Sequence, residues 1–263
     1  MCGPRGYRGV GTRPRCGGPV VSATVSKASS ETVTARRGAG TFALVGGGEW
    51  RAGCRGLDAE LLGGGNEVVV LPTAAAFEHP ERVVESARAY FEELGAAVRG
   101  LMVLHRQEAE DPEVASAVRA AKFVYLADGS PLHLRSVLKG SALFDALLGS
   151  YHGGGVLAAS GAGATVLCDP MVDPRGGAYT VGLGVVRNLA IFPYHGTAAD
   201  HLRERSIDLL PKAAKLVGID EETALVLDPA GRWRVAGAGK VTVYTEGGAT
   251  VHAAGAEVDG LPG

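Results

Sequence analysis

The sequence predicts an α/β domain: a doubly wound, largely parallel sheet, helices on both faces and an antiparallel extension at the C-terminal end. Three observations predict it. Short, nearly continuous apolar runs recur from Thr41 onward, the pattern of strands covered on both faces. Stretches with apolar residues every three or four positions alternate with those runs. Beyond residue 224 the pattern changes to short strand-like runs separated by Asp228-Pro229, Gly231 and Gly247-Gly248 turns.

The elements follow in order. Thr41-Phe-Ala-Leu-Val45 is a buried strand that opens into Gly46-Gly47-Gly48, and residues 67–72 form a second strand. Residues 79–94 form an amphipathic helix, with Val83, Val84, Ala87, Tyr90, Phe91 and Leu94 on one side and Gly95 at its end. Residues 97–104 make a third strand. A helix over 111–121 has Asp111 as cap and Pro112 at its first position, where a missing N–H costs nothing. Residues 122–126 form a fourth strand, 131–148 are mostly helix, and 156–159 form a fifth strand. Strands are expected within 176–191, a helix over 197–210, and antiparallel strands at 224–227, 233–235, 241–245 and 249–253. Sites in such sheets lie at the carboxyl ends of the strands. The Gly46–Gly48, Ala127–Ser130 and 160–163 loops all follow strands, so they are expected to converge.

Composition narrows the function classes. With 263 residues, 46% hydrophobic and 21% charged, the chain can bury one substantial core. A formal charge of −2 gives no general attraction to nucleic acid or anionic membrane. The charge is uneven. Residues 1–40 hold seven Lys or Arg against one Glu, and they are rich in Gly, Ser and Thr without apolar periodicity. They are read as a disordered tail ahead of a single domain over 41–263. No apolar run of about 18 residues and no signal-type segment is present, so a cytoplasmic protein without membrane contact is expected.

Metal and thiol chemistry find no support. Cys2, Cys16, Cys54 and Cys168 form no C-x-x-C pair, and the seven histidines make no H-E-x-x-H. An N-terminal Cys2 nucleophile would need a folded strand around it, which an Arg/Gly segment does not supply. Neither a metal nor a cofactor is expected. Gly46-Gly47-Gly48-Glu49 lacks the third glycine of G-x-G-x-x-G, because Trp50-Arg51 occupy its place. It is read as a tight turn bordering a ligand pocket, with Gly47 and Gly48 beside the ligand.

The motif richest in chemistry is Ala158-Ala159-Ser160-Gly161-Ala162-Gly163-Ala164. It has the small-residue frame of a strand-to-helix turn that displays a catalytic serine in G-x-S-x-G hydrolases. The tip of that frame is Gly161, which has no side chain to attack with. Ser160 lies one position early, and as the last strand residue it should point away from the tip. A plain close strand–helix crossing would use the same small residues. His195, in Ile191-Phe-Pro-Tyr-His195-Gly196, follows an apolar run and is either a general base or a structural histidine.

Together these residues resemble the cyanophycinase/dipeptidase E family of serine peptidases, whose fold is related to class I glutamine amidotransferases. Leu44-Val45-Gly46-Gly47-Gly48-Glu49 matches that family's opening strand and G-G-G-E loop. Tyr125 to Ser130 falls on its apolar strand followed by G-G-N or G-G-D, Gly161-Ala162-Gly163-Ala164 on its S-A-G-A, and His195 on its catalytic histidine. The resemblance implies an oxyanion hole from the N–H groups of Gly129 and Ala162, with His195 as general base oriented by Asp169 or Asp173. It departs at two points. Gly161 stands at the serine position. The substrate-holding G-G-N/D-Q stretch reads Asp128-Gly129-Ser130-Pro131, which keeps Ser130 as a ligand contact but loses the Gln.

Two functions follow. One is a non-catalytic homologue that binds or senses a small peptide or amino-acid-like ligand. The other is an active hydrolase in which Ser160 works with His195 on short Asp-containing peptides. A cysteine-type amidotransferase is disfavoured, because Cys168 lies seven residues beyond the turn and is expected inside the following helix. A homodimer remains open.

Overall fold

The computed structural model describes residues 1, 3 and 39–262. The tail expected at 1–40 therefore falls almost wholly outside the described residues. Ala39 and Gly40 are buried, and Gly40 N–H donates to Tyr151 O at 2.7 Å, so both already belong to the packed unit.

The first half alternates strand and helix. It runs β1 (Thr41–Val45), α1 (Arg55–Leu62), β2 (Glu67–Leu71), α2 (Pro80–Glu93), β3 (Ala97–Gly100), α3 (Pro112–Ala120) and β4 (Phe123–Leu126). Then come α4 (Pro131–Leu138), α5 (Ala142–His152), β5 (Val156–Ser160) and α6 (Ala162–Leu167). The second half is strand-rich: β6 (Cys168–Asp169), β7 (Met171–Val172), β8 (Tyr179–Thr180), β9 (Val186–Arg187), β10 (Leu189–Phe192), α7 (Asp200–Asp208) and β11 (Lys215–Ile219). It closes with β12 (Thr223–Leu227), β13 (Trp233–Gly237), β14 (Lys240–Thr245) and β15 (Gly248–Ala253).

The main sheet has the order β13-β12-β1-β5-β4-β2-β3. Its pairings from β1 to β3 are parallel, while β12 and β13 join antiparallel. Alternation sends successive side chains to opposite faces. Phe42, Leu44, Val69, Leu71, Val124 and Leu126 pack with α3 to α6 on one side. Ala43, Val45, Val68, Val70, Phe123 and Tyr125 pack with α1 and α2 on the other. Because both faces are covered, these strands are apolar throughout.

A second sheet, ordered β15-β14-β11-β10-β6-β9, shares the α6-side core through Ile191, Val217, Ile219, Val241 and Val243. The antiparallel extension is thus divided. β12 and β13 widen the main sheet, whereas β14 and β15 pair onto β11 of the second. The apolar run of β11 had no expected strand of its own.

Several boundaries differ for local reasons. The 131–148 stretch is two helices, broken where Ser141 accepts from Phe144 N–H and caps α5. Cys168 has left the helix and opens β6. The Asp111 cap is made as expected, its carboxylate accepting from Glu113 N–H at 2.8 Å. Among the described residues no helix is long and apolar enough to cross a membrane.

Candidate functional site

Four loops meet at the carboxyl ends of β1, β4, β5 and β10. β5 ends at Ser160, whose side chain is fully buried. Its Oγ donates to Glu49 Oε2 at 2.8 Å, so the hydroxyl is spent on the β1 loop. Gly161 follows with φ 45° and ψ −100°, then α6 begins. That conformation is strained for any residue with a Cβ. A Cβ at 161 would overlap the Cγ and both carboxylate oxygens of Asp128.

Asp128 therefore fills the space in front of the turn from the neighbouring β4 loop. Its Oδ1 accepts from Gly129 N–H at 2.7 Å and from Ala162 N–H at 2.6 Å. Tyr194 Oη donates to Oδ2. The two amides expected to bind an oxyanion do converge, and the anion they hold is this chain's own carboxylate. In the pattern by which the loop resembles its relatives, Asp128 stands at the first glycine and Gly161 at the serine. The Asp128 side chain occupies the space that a Cβ at 161 would take.

Glu49 backs this arrangement. Its Oε1 accepts from Asp128 N–H at 3.0 Å. Burial, and then the charge of Asp128, push its carboxyl above the usual range, against the hydrogen bonds that favour ionisation. Tyr194 has φ 54°, and its phenol is pushed up by burial and by the Asp128 charge. Gly47 makes room for it, since a Cβ there would strike the Tyr194 ring.

A cavity of about 210 Å³ opens beside the turn, lined by Asp128, Gly129, Ala162, Phe192 and Tyr194 among others. Neither Gly47 nor Gly48 lines it, and Ser130 does not. Ser130 instead caps α4, its Oγ accepting from His133 N–H at 3.3 Å. These three expected ligand contacts therefore lie outside the lining of this cavity.

His195 is held elsewhere. It is buried, with Nε2 2.7 Å from Tyr244 Oη and Nδ1 3.4 Å from Asp220 Oδ1, too poorly aligned for a hydrogen bond. Burial lowers its pKa, which Asp220 partly offsets. It is not among the residues lining the cavity. The carboxylate beside it is Asp220, not Asp169 or Asp173. Asp169 Oδ1 accepts from Gly182 N–H at 3.0 Å, and Asp173 pairs with Arg175. Asp220 lay beyond an unexpected strand, so its position had no signal. Tyr194 and Glu49 did have one, each adjoining a residue already singled out.

Thiol chemistry has no support here. Cys54 and Cys168 are buried, and burial pushes the Cys54 thiol up to about 12. Among the described residues no group of three or more His, Cys, Asp or Glu is placed to hold a metal ion.

The family model "Peptidase family S51" matches residues 42–231. The chain belongs to peptidase family S51. Within that family it is similar to cyanophycinases of Trichormus variabilis and Nostoc sp., each 29% identical over 169 residues. Those matches cover 58% of this chain and 55% of each relative, so the chain spans about half the length of the curated relatives it matches. A crystal structure of a peptidase from an acI-B1 Actinobacterium superposes with a TM-score of 0.76 at 28% identity, covering 84% of this chain and 96% of that one. A putative peptidase E protein from Listeria monocytogenes, at TM-score 0.56 and 15% identity over 82% of this chain and 98% of that one, shares the fold. The S51 chain thus has the expected fold and the expected family.

Proposed function

We propose that this chain is an S51 homologue that has given up covalent serine catalysis and uses the former reaction centre to bind a small ligand. The observation that carries the reading is the Asp128 carboxylate, which occupies both the space of a side chain at 161 and the two N–H groups of Gly129 and Ala162. An oxyanion hole alone leaves a hydrolase about 10³–10⁴-fold faster than water. Here that residue of activity is also lost, because an anion already fills the hole. The base position supports the same reading. Tyr194, not His195, faces the cavity, and a phenol with a raised pKa is a poor proton acceptor near neutral pH.

The hydrolase based on Ser160 draws no support from the geometry. Its hydroxyl donates to Glu49, and His195 Nε2 is engaged by Tyr244 with Asp220 beside the ring.

The test is release of product from short Asp-containing peptides. Wild type, Ser160→Ala and Gly161→Ser are expected to show no turnover above buffer. Gly161→Ser stays silent because a side chain there meets Asp128. Turnover by wild type that Ser160→Ala abolishes overturns the proposal.

A further inference from the structure

The cavity beside the turn has an uneven chemistry. Its walls are Pro131, Val172, Phe192, Pro193, Ala198 and Leu202, all apolar, and Asp128 stands at the turn end. The other polar groups around it are already engaged. Thr165 Oγ1 donates to Gly161 O at 2.9 Å. Asp173 is tied to Arg175, and the Gly129 and Ala162 amides to Asp128.

Every hydrogen bond that reaches the Asp128 side chain comes from a donor: two amides and a phenol. None of these three partners carries a positive charge, and among the described residues no Lys, Arg or His forms an ion pair with Asp128. The other carboxyl in its hydrogen-bond network is Glu49, which supplies no positive charge. A carboxylate partly withdrawn from water without a cation is costly, and a ligand cation would relieve that cost.

We propose that the cavity binds a compact primary amine with an apolar body, its ammonium group paired with Asp128 Oδ2. The inference rests on the non-catalytic reading above and adds the ligand's chemical class. An ammonium fits better than a guanidinium. The planar guanidinium fork needs both carboxylate oxygens in parallel, and Oδ1 already accepts two amide N–H groups. The ammonium asks only for one lone pair on Oδ2, beside the one that takes the Tyr194 proton. The volume, about 210 Å³, is small for a ligand site, so the body is a short branched chain or a single ring. Anions are disfavoured by the Asp128 and Asp173 carboxyls, both of which line the cavity.

The experiment is isothermal titration of the full chain with benzylamine, benzyl alcohol and benzoate at neutral pH, repeated on Asp128→Asn. That substitution keeps an acceptor for both amides and a polar neighbour for Tyr194, so the fold is retained. Amide NMR shifts at Gly129 and Ala162 report the place of binding. The expected result is a preference for benzylamine over the alcohol of about tenfold or more, no binding of benzoate, and loss of the preference in Asp128→Asn. Benzoate binding as well as the amine, an amine preference that survives Asp128→Asn, or no binding by any of the three overturns the inference. Peptide turnover by the same wild-type preparation would instead overturn the non-catalytic reading, so the two failures are distinct.

Discussion

Two aspartates interact electrostatically with Glu49, each met by one tyrosine hydroxyl, and they are handled differently. Asp128 receives Tyr194 and two backbone amides, and it faces a cavity. Asp58, on α1, receives Tyr90 at 2.9 Å and nothing else. Its Oδ1 has no hydrogen-bond partner and the residue is fully buried. Burial pushes the Asp58 carboxyl up to about 7, against the Tyr90 hydrogen bond, with Glu49 adding to the rise. The difference teaches what makes a buried carboxylate available for binding. Loop amides meet the Asp128 carboxyl beside a cavity, whereas Asp58 has only the Tyr90 hydroxyl, and its burial favours the protonated form below about pH 7.

The largest test of that contrast is pH. Asp58 has a folded pKa above its unfolded value near 3.8. The folded state therefore binds more protons between those values, and stability falls as pH rises through them, levelling off above about 7. From pH 5 to pH 8 the loss is on the order of 3 kcal/mol. Urea unfolding at both pH values should show it in wild type and not in Asp58→Asn. Equal slopes in the two proteins would mean that Asp58 is not stored neutral.

Next in size is the space in front of the turn. Gly161→Ser meets both a strained backbone and the Asp128 carboxylate, and it should cost about 2–4 kcal/mol of stability. Adding Asp128→Gly should restore part of that loss, a coupling measurable as a double-mutant cycle. Strictly additive losses would show that the two side chains do not compete for one place.

A smaller effect separates the two tyrosines. Tyr194→Phe removes a hydrogen bond to a charged acceptor and should cost about 1.5 kcal/mol. Tyr90→Phe instead removes the one donor that favours ionised Asp58, and so should move the pH midpoint of stability upward. If Tyr194→Phe moved that midpoint and Tyr90→Phe did not, the assignment of the two acids would be reversed.

The smallest effect expected is at His195. Its ring sits with Asp220 and Tyr244 outside the cavity, so His195→Gln should leave benzylamine affinity within about twofold. A larger loss in titration would place His195 in the binding site after all.

Much of the fold was legible because local chemistry dictates it. The runs at β1, β2, β4 and β5 are apolar on both faces, and Asp111-Pro112 marks the start of α3 without tertiary help. α1 was missed because its buried side carries Asp58 between Leu57 and Leu61, which breaks the apolar spacing. β11 was missed because Gly218 interrupts a short run that continues from a Lys/Ala stretch.

By itself, then, the sequence determined the α/β class, the family resemblance and the convergence of three loops at the strand ends. It also determined that no nucleophile stands at 161. Only the tertiary structure decided what fills the space in front of it. Asp128 and Gly161 are 33 positions apart on separate loops. Their meeting depends on the spacing of β4 and β5 and on the φ of one glycine, neither of which leaves a periodic trace. The same holds for the choice between adjacent Tyr194 and His195. Each is polar and each follows the same strand, and the backbone angle at Tyr194 aims one ring at the cavity and leaves the other with Asp220.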